Sequence, residues 1–169
     1  MALYKNGAFV ADPWRQVVDG EAVPASGHVV LSLEWWQAER QAYDGSNVPL
    51  GLRVEPGVAI DEFAADIPRF SLIALDFPKF GDGRAFSMAK LLRERHGFKG
   101  ELRAVGEVLI DQIQPMQRCG FDAFEISDPV TEKALRDGQA PGVAHFYQPS
   151  LGREAPAGTR PWTRRLIPS

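Results

Sequence analysis

Six consecutive residues gather the groups best suited to chemistry: Lys79-Phe80-Gly81-Asp82-Gly83-Arg84. The glycines let backbone amides approach a ligand, and Lys79 and Arg84 bring positive charge. Gly81-Asp82-Gly83 stands where a dinucleotide fingerprint would stand. Phe86, however, occupies the place of its third small residue, where a bulky ring holds helix away from strand. Lys79, Gly81, Asp82, Gly83 and Arg84 instead suit a small oxyanion such as sulfite, sulfate or phosphate, held by first-turn amides and a guanidinium. The competing reading is a plain turn with Asp82 as the helix N-cap.

Other charged residues have structural readings beside the chemical ones. Arg103 lies inside an apolar strand and needs a carboxylate partner. Asp76 is the expected one, as a structural ion pair, with Asp111 and Glu125 as alternatives. Glu55, Asp76, Glu107 and Glu125 fall near successive strand ends and resemble a hard-cation ring. Strand ends are also where polar loops begin, so no metal site is expected. Cys119 follows Arg118, and a cation lowers a thiol pKa, but a helix C-terminus raises it. Cys119 is a weak redox candidate against the reading of a small buried hydrophobe. The three histidines have no metal-ligand spacing.

Those side chains must be placed by the elements around them. The apolar run Leu72-Ile73-Ala74-Leu75 ends at Asp76-Phe77-Pro78 and predicts a buried strand. A helix from Ala85 to His96, closed by Gly97, and a strand from Glu101 to Val105 complete a parallel βαβ unit. Function in such units sits on loops at the carboxyl ends of strands. Upstream, Asn6-Gly7 predicts a hairpin over residues 1–10. Ala11 to Gly27 reads as an irregular connection, and Val29 to Leu31 as a short strand. Ser32 caps a helix from Leu33 to about Tyr43, with Trp36 and Ala42 as core contacts. Leu50 to Val54 predicts a strand and Asp61 to Ile67 a helix ending before Pro68. Downstream, Pro115 interrupts a helical pattern from Val108 to Arg118, making two short pieces. A strand at Ala123 to Ile126, a helix from Asp128 or Thr131 to Arg136, and a strand at Ala144 to Tyr147 follow.

The fold class expected is α/β. Five or six βα units form a mainly parallel sheet in an open three-layer arrangement, with an N-terminal β-hairpin. An incomplete β/α barrel is the alternative. Residues 1–148 make one domain, and 149–169 a Pro/Gly/Arg-rich arm. Removing that arm is expected to leave the domain folded. The chain has 169 residues, 44% hydrophobic and 24% charged, as in ordinary soluble domains. Net charge is −3, which argues against nucleic-acid binding. Residues 149–169 carry four arginines and one acid, so the remainder is strongly acidic. One cysteine excludes an internal disulfide and a four-cysteine cluster. The polar start and the lack of a spanning apolar run predict a cytoplasmic protein without membrane contact.

A long motif series resembles a known family. It comprises Phe77-Pro78-Lys79-Phe80, Asp82-Gly83-Arg84 with Ser87, Leu91-Leu92-Arg93-Glu94-Arg95, Gly100 to Gly106, Asp111-Gln112, and Arg118 to Phe124. The chain is similar, from about Val29 to Tyr147, to an uncharacterised proteobacterial domain-of-unknown-function family labelled as an oxidoreductase of sulfite reduction. The resemblance implies an accessory protein of assimilatory sulfite reduction, docking on sulfite reductase or relaying electrons to it. Sulfite reductase or a neighbouring sulfur-assimilation enzyme is then the partner, with homo-oligomers also open. No cofactor is expected to be bound by this chain alone. Two other readings stand beside it: a small metal-dependent enzyme using the acidic strand ends, and an assembly subunit without catalysis.

Overall fold

The computed structural model describes residues 1–18, 21, 26–78 and 83–139. Its centre is one eight-stranded sheet, curled into a half-barrel, with strand order β2-β1-β8-β7-β6-β5-β4-β3. The strands are β1 (Ala2–Lys5), β2 (Ala8–Val10), β3 (Trp14–Gln16), β4 (His28–Ser32), β5 (Leu50–Val54), β6 (Phe70–Phe77), β7 (Glu101–Gly106) and β8 (Ala123–Ile126). The helices are α1 (Leu33–Glu39), α2 (Arg84–Lys90), α3 (Ile110–Arg118) and α4 (Pro129–Arg136).

From β3 to β8 each strand pairs in parallel with the next one in sequence. Right-handed crossovers in unbroken order put every connecting helix on the same side of the sheet. The core agrees: Leu31, Leu52, Ile73, Leu75, Ala104 and Phe124 form one cluster with Trp36, Ala89, Leu92, Ile113 and Met116. The three-layer expectation is therefore corrected, and the incomplete barrel is the arrangement realised. The parallel pairing of Leu72–Leu75 with the strand from Leu102 to Val105 is as expected.

The open face, which bears no helix among the described residues, carries Val30, Leu72, Ala74 and Val105, with Trp14 packed against them. This packing is close. A Cβ on Gly51 would lie 3.0 Å from Leu72 and 3.2 Å from the Trp14 ring. Strand β3 thus lies inside the stretch Ala11 to Gly27, expected to be irregular. Its sequence, Trp-Arg-Gln, has too few β-branched residues to show itself, and pairing with β4 makes it a strand.

The N-terminal hairpin forms as expected, with Asn6 at φ 53° and Gly7 at φ 83°. Its first strand then runs antiparallel against β8. Ser32 Oγ accepts from the Trp35 amide at 3.1 Å and caps α1, which passes into a 3₁₀ turn over Arg40–Tyr43. Trp36 is fully buried and donates through Nε1 to Asp66 Oδ2 at 2.9 Å. Ala42, the other core contact expected, is exposed, because the chain has tightened into the 3₁₀ turn and turns Tyr43 inward instead. The helix expected from Asp61 to Ile67 is instead two 3₁₀ turns, Ile60–Glu62 and Ala64–Arg69. The segment is too short to nucleate an α-helix, and Pro68 removes a donor at its end.

Two helices differ in detail. α2 runs into a single π turn, Leu91–Arg95, where the His96 amide donates to Leu91 O at 3.1 Å. Gly97, at φ 63°, ends it as expected. α3 continues through Pro115 in one piece, correcting the expected break. The lost bond costs less than the burial of Ile113 and Met116, both fully enclosed, contributes: about 1.5–3 kcal/mol per side chain. The strand expected at Ala144 to Tyr147 and the arm 149–169 lie outside the described residues. No helix among the described residues is long and apolar enough to cross a membrane.

Candidate functional site

All six parallel strands direct their carboxyl ends to one edge of the sheet, and two adjoining clefts open there. The first, of about 340 Å³, lies between the loop after β5 and α2. Its walls are largely apolar, with Val54, Val58, Ile60, Leu75, Met88 and Leu91, and Arg84 stands among them. The second, of about 510 Å³, is polar and faces β3, β4 and α1, with Gln16, Glu34, Gln37, Arg53 and Glu62. Glu55, Val58 and Asp76 line both, so they form the ridge between them.

Backbone geometry holds this ridge. Asp76 Oδ2 accepts from Arg53 Nη2 at 2.7 Å, and Arg53 Nη1 donates to Gln16 Oε1 at 3.0 Å. Strand alternation sets that triad. Arg53 is the open-face residue between Leu52 and Val54, and Asp76 is the open-face residue between Leu75 and Phe77. Gly106 ends β7 at φ 95°, and a Cβ there would meet Phe77 O at 2.5 Å and Asp76 Oδ1 at 2.8 Å. Only glycine lets β7 pass Asp76 so closely. Gly106→Ala is accordingly expected to cost about 1–3 kcal/mol and to displace Asp76. Urea unfolding measures the loss, and an unchanged midpoint counts against this packing. Gly57 plays a matching part at the mouth of the apolar cleft. It sits at φ 96°, and a Cβ on it would come within 2.9 Å of Arg84 Nη1.

Of the residues expected to hold an anion, Lys79, Gly81 and Asp82 lie outside the described residues. Gly83 is the residue at the cap of α2 and offers no side-chain cap, in place of the Asp82 cap expected. Arg84 opens α2 and lines the apolar cleft. Among the described residues, four carboxylates line the two clefts, Glu34, Glu55, Glu62 and Asp76, against the guanidiniums of Arg53 and Arg84. That described balance is negative.

Asp76 and Arg103 both form ion pairs, but not with each other, which corrects that expectation. In register Arg103 stands beside Ala74, and Asp76 stands beside Val105. Arg103, 4% exposed, donates to Asp12 through Nη1 at 2.7 Å and Nη2 at 3.0 Å, and to Glu101 Oε1 through Nε at 2.9 Å. Lys5 joins Glu101 at 2.6 Å. Burial opposes the charge on Arg103, yet Asp12 and Glu101 outweigh it and raise its pKa. Burial likewise opposes ionisation of Asp12, but Arg103 and the Trp14 amide outweigh it and hold that carboxyl low. The network pins residues 12–14 over the open face.

The remaining candidates are scattered. Glu55 and Glu107 follow their strands, whereas Glu125 lies inside β8 and faces the open side near Arg103. Among the described residues no group of three or more His, Cys, Asp or Glu is placed to hold a metal ion. Cys119 caps α3 at the opposite edge of the sheet. Burial pushes its thiol up, against the pull of Lys90 and Arg118.

A family model described as "Bacterial protein of unknown function (DUF934)" matches residues 51–158. The chain belongs to this family. The match begins within β5, later than the Val29 expected, and runs past Tyr147. Both walls of the DUF934 apolar cleft fall inside the matched stretch, as do Arg53, Glu55, Asp76, Arg84 and Arg103. Gln16, Glu34 and Gln37, on the far wall of the polar cleft, fall outside it. No curated protein matches the chain.

The residues that motif reading missed are Arg53, Gln16, Glu34 and Glu62. A signal for Arg53 was present. It interrupts Leu50 to Val54 just as Arg103 interrupts its own strand.

Proposed function

We propose that this protein is an accessory factor of assimilatory sulfite reduction that docks on its partner enzyme through the carboxyl edge of the sheet. The pathway rests on the resemblance of the motif series to a family labelled for sulfite reduction. The observation that carries docking is the pair of contiguous clefts, set on rigid strand ends and rimmed by exposed charge. Docking is favoured over electron relay, because the Cys119 thiol is raised by burial and lies at the far edge.

The test uses the full chain and the sulfite reductase of the same bacterium. The two are expected to co-sediment at about 50 μM each and to dissociate measurably on dilution. Glu55→Lys on the ridge should weaken the complex at least about tenfold. Lys133→Ala on α4, where Lys133 pairs with Asp137 away from the clefts, should leave it unchanged. Absence of a complex at that concentration, or equal weakening by both variants, removes the docking reading.

A further inference from the structure

We infer that the two clefts together take a short basic peptide segment of the docking partner, with one large apolar side chain in the apolar cleft and a lysine or arginine beside it against the polar one. This rests on the docking reading above and names the chemistry of what docks. The apolar cleft, about 340 Å³, is at the lower end of the range for ligand sites. That suits a single leucine, phenylalanine or tryptophan anchor of the kind that dominates interfaces. Its lining includes Met88, whose unbranched thioether adapts to different anchors.

Exposure points to the same edge. Few large hydrophobic side chains are exposed among the described residues, and two of them border these clefts: Leu91 at the apolar one and Val18 at the polar one. The shared ridge of Glu55, Val58 and Asp76 means that an occupant of one cleft passes directly into the other.

Charge selects the sign of the occupant. Asp76 is matched by Arg53, which also holds Gln16. Glu34, Glu55 and Glu62 remain on the polar cleft as exposed carboxylates, with Glu62 also accepting from the Ala59 amide at 3.0 Å. A cation beside the anchor gains from all three, and an acidic segment is repelled. These are exposed charges, so the attraction is screened over about 8 Å at physiological salt and weakens as salt rises.

The probe is a synthetic peptide, acetyl-Lys-Arg-Trp-Lys-Gly-amide, titrated into the 15N-labelled full chain. Saturable shifts are expected at the amides of Gly57, Val58 and Met88, weakening as salt is raised. Exchanging the three basic residues for glutamate, or the tryptophan for glycine, should reduce affinity at least about tenfold. On the protein side, Glu34→Lys with Glu55→Lys should do the same, as should Met88→Trp, which fills the apolar cleft from within. All three protein positions are exposed or half-buried, and the peptide exchanges leave the protein untouched. Equal binding of the acidic peptide, equal binding without tryptophan, or shifts of the same amides by sodium sulfite alone would overturn the inference. The last result would make the edge an anion site. Failure of the peptide while the reductase complex persists removes this inference and leaves docking. Peptide binding without a reductase complex supports the inference and removes that partner.

Discussion

Arg103→Met is expected to lower the unfolding free energy by about 3–5 kcal/mol, the range for stripping one partner from a buried ion pair. Methionine keeps much of the volume, so the loss is electrostatic more than a cavity effect. Asp12 loses both guanidinium bonds, Glu101 keeps Lys5, and the covering segment at residues 12–14 loses its anchor. In a chain of this size that is a fall of roughly 10 °C in melting temperature. Acid should narrow the gap. The Asp12 pKa is held low in the fold, so its contribution is present above the usual carboxylate value of about 3.9 and is lost as pH falls through the folded one. Wild type therefore loses this contribution on acidification, while the variant has little of it to lose. Denaturant midpoints measured from pH 7 down to about pH 3 test this. A gap that stays constant with pH would show that Asp12 does not depend on Arg103. Adding Asp12→Asn and Glu101→Gln should recover part of the stability, since it is the orphaned acids that are costly.

That buried arginine also explains how the sequence misleads about layers. Leu72 to Leu75 is apolar at every position, and Leu102 to Val105 at all but one. Such runs normally mean helices on both faces. Here, among the described residues, the helices cover one face, and β3, Trp14 and the Arg103 network cover the other. A pattern of apolar residues records that a face is buried but not what buries it. The strands themselves were legible. Leu50 to Val54 and Ala123 to Ile126 agree to the residue, because flanking Gly, Pro and Asp punctuate them. The 3₁₀ turns after β5 were not, since their apolar spacing also fits one α-helical turn.

The candidate site was legible only in its location. The rule that chemistry gathers at carboxyl strand ends selects the edge where the two clefts open, and Asp76 and Arg84 do stand there. The sign of the charge was not legible. Reading along the chain gives weight to neighbours such as Lys79 and Arg84. Folding adds Glu34, Glu55 and Glu62 from segments 17–50 residues earlier, and they turn the described rim acidic. The Asp76–Arg103 pairing fails for a related reason. Both residues lie on the open face of adjacent strands, but two register positions apart, and each has a nearer partner across the sheet.

At the opposite edge, Arg93→Ala is expected to be about as damaging, with a loss near 3–5 kcal/mol, chiefly from the three carbonyls left without a donor. The Arg93 side chain leaves the π turn after α2 and is nearly enclosed, at 16% exposure. Its Nε donates to Gly120 O at 2.9 Å. Nη1 donates to Phe98 O at 2.7 Å and Gly100 O at 2.9 Å. Nη2 reaches Asp122 Oδ2 at 3.0 Å. One side chain thus ties the end of the α2 segment to the loops entering β7 and β8. Alanine leaves three carbonyls and a carboxylate without this donor, at about 1–3 kcal/mol for each group that water cannot reach. Lysine should recover little, because a point charge cannot span donors that the planar fork holds apart. The pH dependence of the deficit should run in the same direction as that of Arg103→Met, although the carboxyl concerned is raised and not lowered in the fold. Burial raises the Asp122 pKa, and Arg93 with the Leu102 amide only partly offsets it. Without Arg93 it rises further. A carboxyl raised in the fold contributes stability below its unfolded pKa and loses it as pH climbs through the folded one. The Arg93→Ala deficit should therefore widen from about pH 4 to pH 7, and Asp122→Asn in that background should flatten it. A deficit that widens equally in the Arg93→Ala, Asp122→Asn double variant would assign the pH dependence to another group and leave Arg93 acting through its carbonyl bonds alone.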